Sequence, residues 1–302
     1  MPGGSGRQRA RPEPATITFL SDYGLVDGFV GTVHLVIAAI APGARIVDLS
    51  HLVAAHDVAA GARTLARASP WLSEVVLAVV DPGVGSARRG VAVEALDRSR
   101  RPAAVLVGPD NGLLLPAVRA IGGFGRVVAL DQARWHRGPV PFPSGGTPRR
   151  GATFDGRDVF APVAAHLANG VDVAEVGSPL EAGGLVDTEV TPPKATDGSL
   201  LGTVGWIDRF GNAQLDVDPA LTAGWGPRLA LGLADGRVVT ATMAATYRDV
   251  PGDALGMIID ADGCLAMVCN RASAAAALGL HEGDGVSLAP AEGPSGQVQT
   301  GR

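Results

Sequence analysis

The order of apolar segments in the first 170 residues restricts the fold of this chain more than any other feature. Apolar runs of strand length alternate with longer amphipathic segments, which favours βαβ units around a parallel sheet. The predicted strands are TITFLSDYG, ARIVDLSH, EVVLAVVDPG, GVAVEAL, AAVLVGP and GRVVALD. The predicted helices are FVGTVHLVIAAIAPG, HDVAAGARTLARASPWL and DVFAPVAAHLANG. The pattern therefore predicts an N-terminal α/β domain with a mostly parallel central sheet over residues 15–185.

A different pattern begins near residue 199. The preceding segment 186–199, VDTEVTPPKATDGS, is polar and contains a proline pair, which indicates a linker. Beyond it, short strands with Gly- and Asp-rich turns are joined by one short Ala-rich helix, ASAAAALGL. The strands lie in LLGTVGWIDRFGNAQLDV, PRLALGLADGRVVTATM, LGMIIDADGCLAMVCN and GDGVSLAP. We expect a second domain over 199–290, built as a small β-barrel or sandwich.

Three segments are predicted to lack regular structure. Residues 1–14 and 291–302 are Gly-containing and poor in hydrophobic side chains, so we expect disordered tails. Residues 134–151, RWHRGPVPFPSGGTPRRG, form a Pro-, Gly- and Arg-rich segment that predicts a mobile loop.

Composition limits the classes of partner. The 302 residues carry a net charge of −5, and nearly all basic residues are arginines without a basic stripe, so we expect neither nucleic acid nor membrane as a partner. No apolar stretch is long enough for a membrane span or a signal peptide. The two cysteines, Cys264 and Cys269, do not form a disulfide framework, which is typical of a cytoplasmic protein. A small-molecule partner is the remaining expectation.

Acidic residues follow three of the predicted strands. They are Asp22, Asp81, and Asp110 with its neighbour Asn111. Each acid alone is better explained by a turn or a helix cap, but ligands of open α/β sheets bind beyond the carboxyl ends of the strands. Together with Arg88 and the charged stretch ATFDGRDVFAP at 152–162, they predict a binding site.

Several common sites are absent from the sequence. The segment GVGSARRG has neither the dinucleotide-binding glycine spacing nor the P-loop lysine, and no serine nucleophile elbow occurs. His51 and the pair His56–Asp57 are candidate metal ligands, but no third and fourth partner shows ligand spacing. The spacing therefore predicts no metal.

Eight motifs, in order, resemble those of the S-adenosyl-L-methionine (SAM) hydroxide adenosyltransferases, relatives of the SAM-dependent fluorinase and chlorinase. They are SDYGLVDGFVG, IVDLSH, HDVAAGA, VVDPGVGSARR, VGPDNGLL, FDGRDVFAP, IDRFGN and ATYRDV. The resemblance implies an α/β domain followed by a small β-barrel. It also implies a homotrimer, with active sites between one subunit's first domain and its neighbour's second. The implied reaction is attack of water or hydroxide on the ribose C5′ of SAM, giving adenosine and methionine. SAM is then the substrate, and no cofactor or metal is implied.

The resemblance also assigns roles to residues. Asp81, Arg88 and Asp155 occupy the positions of the group that orients and activates water. The substrate-binding positions are Asp22 at the ribose hydroxyls, Phe154 and Gly156 beside the nucleophile, Asp208 at the methionine ammonium, Asn212 and Tyr247 at adenine, and Phe210 and Asn270 in the same set.

Two departures bear on the chemistry. The halogenating relatives carry tyrosine where this chain has Asp81, and a carboxylate there would repel a halide, so the residue favours hydrolysis. The hydrolytic relatives usually carry histidine at the position of Asp155. Two carboxylates in a dry cleft would share a proton and could still accept one from water. Asp155 could instead cap the following helix.

Other departures concern the two ends of the substrate. Ala261 and Asp262 replace serine or arginine near the methionine carboxylate, and Cys269 replaces a polar residue near adenine. Two further functions stay open at this stage: a SAM-dependent halogenase that forms 5′-halo-adenosine, and a catalytically weak protein that binds SAM or adenosine.

Overall fold

The computed structural model describes residues 15–139, 151–187, 194–196 and 198–291. These residues fall into two compact units that divide between residues 188 and 189. The predicted disordered tails, apart from Ala291, and most of the predicted mobile loop at 134–151 lie outside the described residues. In the described part, none of the helices combines the length and apolar character needed to cross a bilayer.

The first unit is an α/β domain with a seven-stranded sheet. Its strands are β1 (Thr16–Ser21), β2 (Arg45–Ser50), β3 (Glu74–Val79), β4 (Gly90–Leu96), β5 (Pro102–Pro109), β6 (Phe124–Ala129) and β7 (Ser178–Pro179). Its α-helices are α1 (Phe29–Ile40), α2 (Val58–Ala68), α3 (Leu115–Ile121) and α4 (Ala161–Ala168). The strand order is β2-β1-β3-β5-β4-β6-β7, and β2, β1, β3 and β5 are parallel. The predicted mostly parallel sheet is therefore confirmed.

Helices cover both faces of the sheet, so the central strands are buried on both sides. Helices α1 and α4 pack into one apolar layer, and α2 and α3 pack into the other. In α1 the buried residues Val30, Val33 and Ile37 recur at helical spacing and form one stripe toward the sheet. The chain runs from β1 to β2 on one side and then crosses to β3 on the other. The carboxyl ends of β1 and β3 thus border a topological switch point, where open sheets bind ligands.

The second unit is a small β-barrel. Its strands are β8 (Lys194–Thr196), β9 (Ser199–Ile207), β10 (Ala213–Leu215), β11 (Arg228–Gly232), β12 (Val238–Met243), β13 (Leu255–Ile259), β14 (Leu265–Cys269) and β15 (Gly285–Pro290). One helix, α5 (Ala274–Leu278), follows β14. Pairing of β10 with β9 closes seven strands into a ring, and β8 pairs with β9 outside it. Alternate residues such as Leu229 and Leu231 fill the interior.

Three local predictions differ from the structure. The predicted linker contains β8, because Lys194–Thr196 finds a partner in β9. The sequence pattern does not predict helix α3, since its seven residues include a proline and are too few for a clear period. The helix predicted over DVFAPVAAHLANG begins as a π-helical turn, Gly156–Phe160, and continues as α4.

Asp110 has a structural role. Its carboxylate is almost fully buried, accepts bonds from Arg89, and accepts the Val186 N–H at 2.8 Å. Arg89 also donates to the Gly184 carbonyl at 2.5 Å. Its neighbour Asn111 donates to the Val80 carbonyl at 2.8 Å. Asp110, the third acid at a strand end, therefore holds the last residues of the first unit against the sheet.

We expect Asp110→Ala to lower the free energy of unfolding by at least about 2 kcal/mol, because several bonds to a buried carboxylate are lost together. Asp187→Ala is the matched control, since it removes an exposed Asp–Arg pair with Arg119 and should cost less than about 1 kcal/mol. Urea unfolding of both variants measures the difference. Equal losses would contradict the anchoring role.

Candidate active site

A cavity of about 240 Å³ opens at the carboxyl ends of β1 and β3. It lies at the switch point of the sheet and is walled by segments that follow β1, β2 and β3 and by the start of the π-helical turn. We call it the first pocket. Its lining residues are Asp22, Tyr23, Phe29, Ala55, His56, Val79, Asp81, Val84, Thr153, Phe154, Asp155 and Gly156.

Two carboxylates on the wall of the first pocket bind one guanidinium. Arg88 donates from Nε to Asp81 Oδ1 at 2.9 Å and also binds Asp81 Oδ2, which gives a bidentate pair. The same guanidinium donates to Asp155 Oδ2 at 2.7 Å. All three side chains are largely buried. The cluster therefore joins two acids to one guanidinium.

Arg88 is held in place from several sides. Burial acts to lower the pKa of the guanidinium, but the bonds and charges of Asp81 and Asp155 outweigh it and raise that pKa above its usual value. The guanidinium also lies 5.1 Å from the centre of the Phe160 ring. Arg88 therefore stays charged and fixes the spacing of the two acids.

The carboxylate of Asp155 points into this cluster and does not cap the helix that follows. Asp155 stands at the N-terminal end of the π-helical turn, yet its side chain makes no capping hydrogen bond there. π-Helical turns are rare and concentrate at functional sites. The geometry thus favours a role for Asp155 in the pocket over the capping alternative.

An aromatic wall faces the acids. Tyr23 and Phe29 each pack against Phe154, with ring centres 5.6 and 5.1 Å apart. Burial raises the pKa of the Tyr23 phenol well above its usual range, and three nearby acids add to the shift: Asp22, Asp81 and Asp155. Tyr23 therefore keeps its proton at neutral pH and presents a neutral hydroxyl to the pocket.

Gly156 leaves room for that hydroxyl. A Cβ atom at position 156 would lie 1.9 Å from the Tyr23 hydroxyl oxygen, far inside contact distance. Glycine is required here because of this close approach. Gly156 and Tyr23 therefore set the shape of one end of the pocket together.

Asp22 is oriented by the backbone of a neighbouring loop. Its Oδ2 atom accepts the backbone N–H of His56 at 2.9 Å. His56 has a φ of 69°, a conformation uncommon for residues other than glycine. This backbone geometry directs the N–H at the carboxylate and fixes Asp22 on the pocket wall.

The barrel contains a second pocket, of about 600 Å³. It gathers all five of the substrate-binding residues predicted in the second domain: Asp208, Phe210, Asn212, Tyr247 and Asn270. Cys269, Arg271, Ala272 and Ser273 complete the lining. The sequence-predicted site residues thus lie in two groups, one on each unit.

Asp208 organises the loop that carries this second pocket. Its Oδ1 accepts the N–H groups of Phe210 and Asn212, and its Oδ2 accepts the Asn212 side-chain amide at 2.7 Å. Gly211 between them has a φ of 80°, and a Cβ there would lie 1.9 Å from the Ser273 hydroxyl oxygen. The loop IDRFGN therefore folds around one carboxylate.

The two sequence departures in the barrel differ in position. Cys269 lines the second pocket, and burial together with the charge of Asp253 raises the pKa of its thiol above the usual value. Ala261 and Asp262 are not among the residues that line this pocket; they lie in the turn between β13 and β14. There Gln214 donates to Asp260 at 2.7 Å and to Asp262 at 3.3 Å.

Comparison with known proteins assigns the family. Residues 17–177 match the N-terminal domain of the SAM hydroxide adenosyltransferases, and residues 202–287 match their C-terminal domain. The chain belongs to the SAM hydroxide adenosyltransferase family.

Relatives in this family carry two different names. A protein of Salinispora arenicola named (R)-S-adenosyl-L-methionine hydrolase is 42% identical over 271 residues, covering 89% of this chain and 95% of its own length. A protein of Actinopolyspora mzabensis named fluorinase is 27% identical over 302 residues, covering 90% of this chain and 96% of its own. A crystal structure of an uncharacterised conserved protein from Thermotoga maritima is 28% identical, with a TM-score of 0.80, over 90% of this chain and 99% of that one.

Sequence reasoning missed seven of the residues that line the first pocket, among them Tyr23, Phe29 and His56. Tyr23 stands beside Asp22 in the family motif SDYG, but nothing in the sequence indicates that it meets Gly156, which is 133 residues later. The sequence pattern places Phe29 in a helix and makes His56 a candidate metal ligand, and both side chains line the first pocket. A glycine beside a candidate catalytic acid was the available signal, since it indicates a close approach by another group.

We expect Gly156→Ala to destabilise the fold by about 1–3 kcal/mol, the usual cost of overpacking. Adding Tyr23→Phe removes the oxygen in conflict, so the double variant should recover part of that loss. A double-mutant cycle from urea unfolding measures the coupling. Gly31→Ala in α1, where a Cβ meets nothing within 4 Å, is the control and should not lower stability. Additive effects at 156 and 23 would contradict the contact.

Proposed function

We propose that this protein hydrolyses SAM to adenosine and L-methionine. Water oxygen forms a bond to the ribose C5′, the C5′–S bond breaks, and its electron pair goes to sulfur, which leaves as the neutral thioether of methionine. One proton from water is released. The observation that carries the proposal is the pair of buried carboxylates, Asp81 and Asp155, held by Arg88 on the wall of the first pocket.

The roles of the cluster follow from its charges. A carboxylate that accepts a hydrogen bond from water orients the oxygen lone pair and can take up the proton as the C–O bond forms. Arg88 occupies one side of each acid and holds the two at a fixed separation. A pocket that holds SAM and water together can align the oxygen with the leaving sulfur, and such alignment lowers the barrier of displacement reactions. SAM is the substrate in this scheme, and no cofactor takes part.

The same charges disfavour a halide nucleophile. With both acids ionised, Asp81 and Asp155 would carry one negative charge more than Arg88 offsets, so the cluster would attract the hydrogens of water and repel an anion. The 42% identity to a protein named as a SAM hydrolase supports the same choice over the more distant fluorinase.

We further propose that each active site joins the first pocket of one subunit to the second pocket of its neighbour in a homotrimer. Asp22 of the first pocket would hold the ribose hydroxyls, and Asp208, Asn212 and Tyr247 of the second would bind the ammonium and adenine groups. Exposed apolar side chains of the first unit support burial by a neighbour, since Val26, Leu35 and Leu52 are 99%, 73% and 70% exposed. We expect a cytoplasmic enzyme, because both cysteines are free thiols.

A product assay in water enriched in heavy oxygen tests the reaction. Purified protein should convert SAM to equal amounts of adenosine and methionine, with the label in the 5′-hydroxyl group of adenosine. Addition of fluoride or chloride should yield no 5′-halo-adenosine. Halogenated product would identify a halogenase, and saturable SAM binding without any product would identify a binding protein.

We expect Asp155→Asn to lower kcat by about 10²-fold or more with little change in SAM affinity, the mark of an interaction made in the transition state. Asp57→Asn is the control. Asp57 caps α2 by accepting the Ala60 N–H at 2.8 Å, asparagine caps equally well, and activity should not change. A full-rate Asp155→Asn enzyme would remove Asp155 from the mechanism and leave Asp81 with Arg88.

Complementation tests the shared site. Asp81→Asn impairs the first pocket and Asp208→Ala the second, so each variant alone should be nearly inactive. Co-expressed, they should regain about one quarter of full activity, because random mixing pairs two intact pockets at that frequency in a cyclic trimer. No recovery in mixed oligomers would place each site within one chain, and light scattering would report the oligomeric state directly.

A further inference from the structure

A cluster of three potential metal ligands lies on the first unit outside the first pocket. His34 of α1, Asp48 of β2 and His51, which follows β2, place one donor atom each within 4.8 Å of the others. His34 Nε2 lies 2.9 Å from Asp48 Oδ1, and His51 Nε2 lies 3.0 Å from the same oxygen. We propose that these three side chains bind a divalent transition-metal ion of the Zn²⁺ class.

A register irregularity in the sheet creates this cluster. Along a regular strand, residues three apart point to opposite faces, so Asp48 and His51 would not meet. In the pairing of β1 with β2, Phe19 is opposite Asp48, but Leu20 is opposite Ser50, which leaves one extra residue in β2. Such a bulge redirects the side chains beyond it. His51 thereby reaches the same side as Asp48, where α1 carries His34.

The imidazole of His51 is buried and has one ring nitrogen free to bind an ion. The residue is 4% exposed, and its Nδ1 is hydrogen-bonded to the Ser21 hydroxyl at 2.8 Å. Its Nε2 faces Asp48 at 3.0 Å, yet the orientation does not make a hydrogen bond, so among the described residues this buried nitrogen has no hydrogen-bond partner. Buried polar atoms are rarely left in this state, and a bound ion would satisfy it.

The donor set selects the ion. Two imidazoles and one carboxylate suit Zn²⁺ and its transition-metal neighbours, whereas Ca²⁺ and Mg²⁺ take oxygen ligands. Tetrahedral zinc ligands are about 3.3 Å apart, the two imidazole–carboxylate separations are 2.9 and 3.0 Å, and the donor atoms of the two imidazoles lie within 4.8 Å of each other. The Ser21 hydroxyl would orient His51 as a second-shell partner commonly does, and the Phe19 ring lies 4.5 Å from the imidazole.

The cluster is open on one side. The side chains of His34 and Asp48 are 33% and 40% exposed, so an ion can enter and a water molecule can fill the fourth position. None of the three ligands lines the first pocket, and the inference does not depend on the proposed function. The chain spacing of these residues predicts no metal site, because the bulge is visible only in the fold.

Zinc titration calorimetry on tag-free, chelator-treated protein tests the site. The unmodified chain should bind one Zn²⁺, and Co²⁺ in its place should give the visible absorption of a four-coordinate ion. His34→Ala and Asp48→Asn should each weaken Zn²⁺ binding by at least about 100-fold, since even loss of second-shell partners costs 10–100-fold. Both residues are partly exposed, so both variants should fold.

His281→Ala is the matched control, because it removes an exposed histidine that lies 3.7 Å from Asp284 in the other unit. It should bind Zn²⁺ as the unmodified chain does. Loss of binding in the two site variants with retention in the control would support the site. Absence of saturable Zn²⁺ binding by the unmodified chain, or equal binding by all four proteins, would overturn it.

Discussion

The bridge from Arg88 to Asp81 and Asp155 is the interaction on which the candidate active site depends. It joins the loop that follows β3 to the turn that begins α4, and these segments are 67 residues apart for the Arg88–Asp155 pair. Two buried carboxylates would repel each other, and the guanidinium reduces that cost while it fixes their spacing. The bridge thus links both acids of the pocket wall through one side chain.

The neighbouring structure supports this bridge. The π-helical turn Gly156–Phe160 positions Asp155 just before it and directs Phe160 beneath Arg88. The absence of a side chain at Gly156 lets Tyr23 approach, and Tyr23 closes the pocket with a neutral hydroxyl. Several small features, none of them unusual alone, thus converge on one pair of carboxylates. At position 155, where the hydrolytic relatives usually carry histidine, the acid of this chain has Arg88 as its charged partner.

The predicted substrate-binding residues lie in two pockets, one on each unit, and the two pockets carry different kinds of side chain. The first pocket holds the charged cluster, and the second holds the amide and aromatic groups that suit a nucleobase. A ligand that contains both a nucleoside and an amino acid has polar and aromatic groups that could contact the residues of both pockets. The trimer proposed here would bring the two pockets together across a subunit interface.

The sequence by itself determined the order of the elements, the two-domain plan and the charged residues of the candidate site. Apolar periodicity is set by which faces are buried, so strands and helices could be predicted, and the family motifs identified Asp22, Asp81, Arg88 and Asp155. Only the tertiary structure decided which of the acids at strand ends belong to the site. Asp22 and Asp81 line the first pocket, whereas Asp110 anchors the end of the first unit. The tertiary structure also decided that β9 meets β10 to close the barrel and that a bulge brings His51 beside Asp48. These outcomes depend on register and on contacts between residues distant in sequence, which local patterns do not encode.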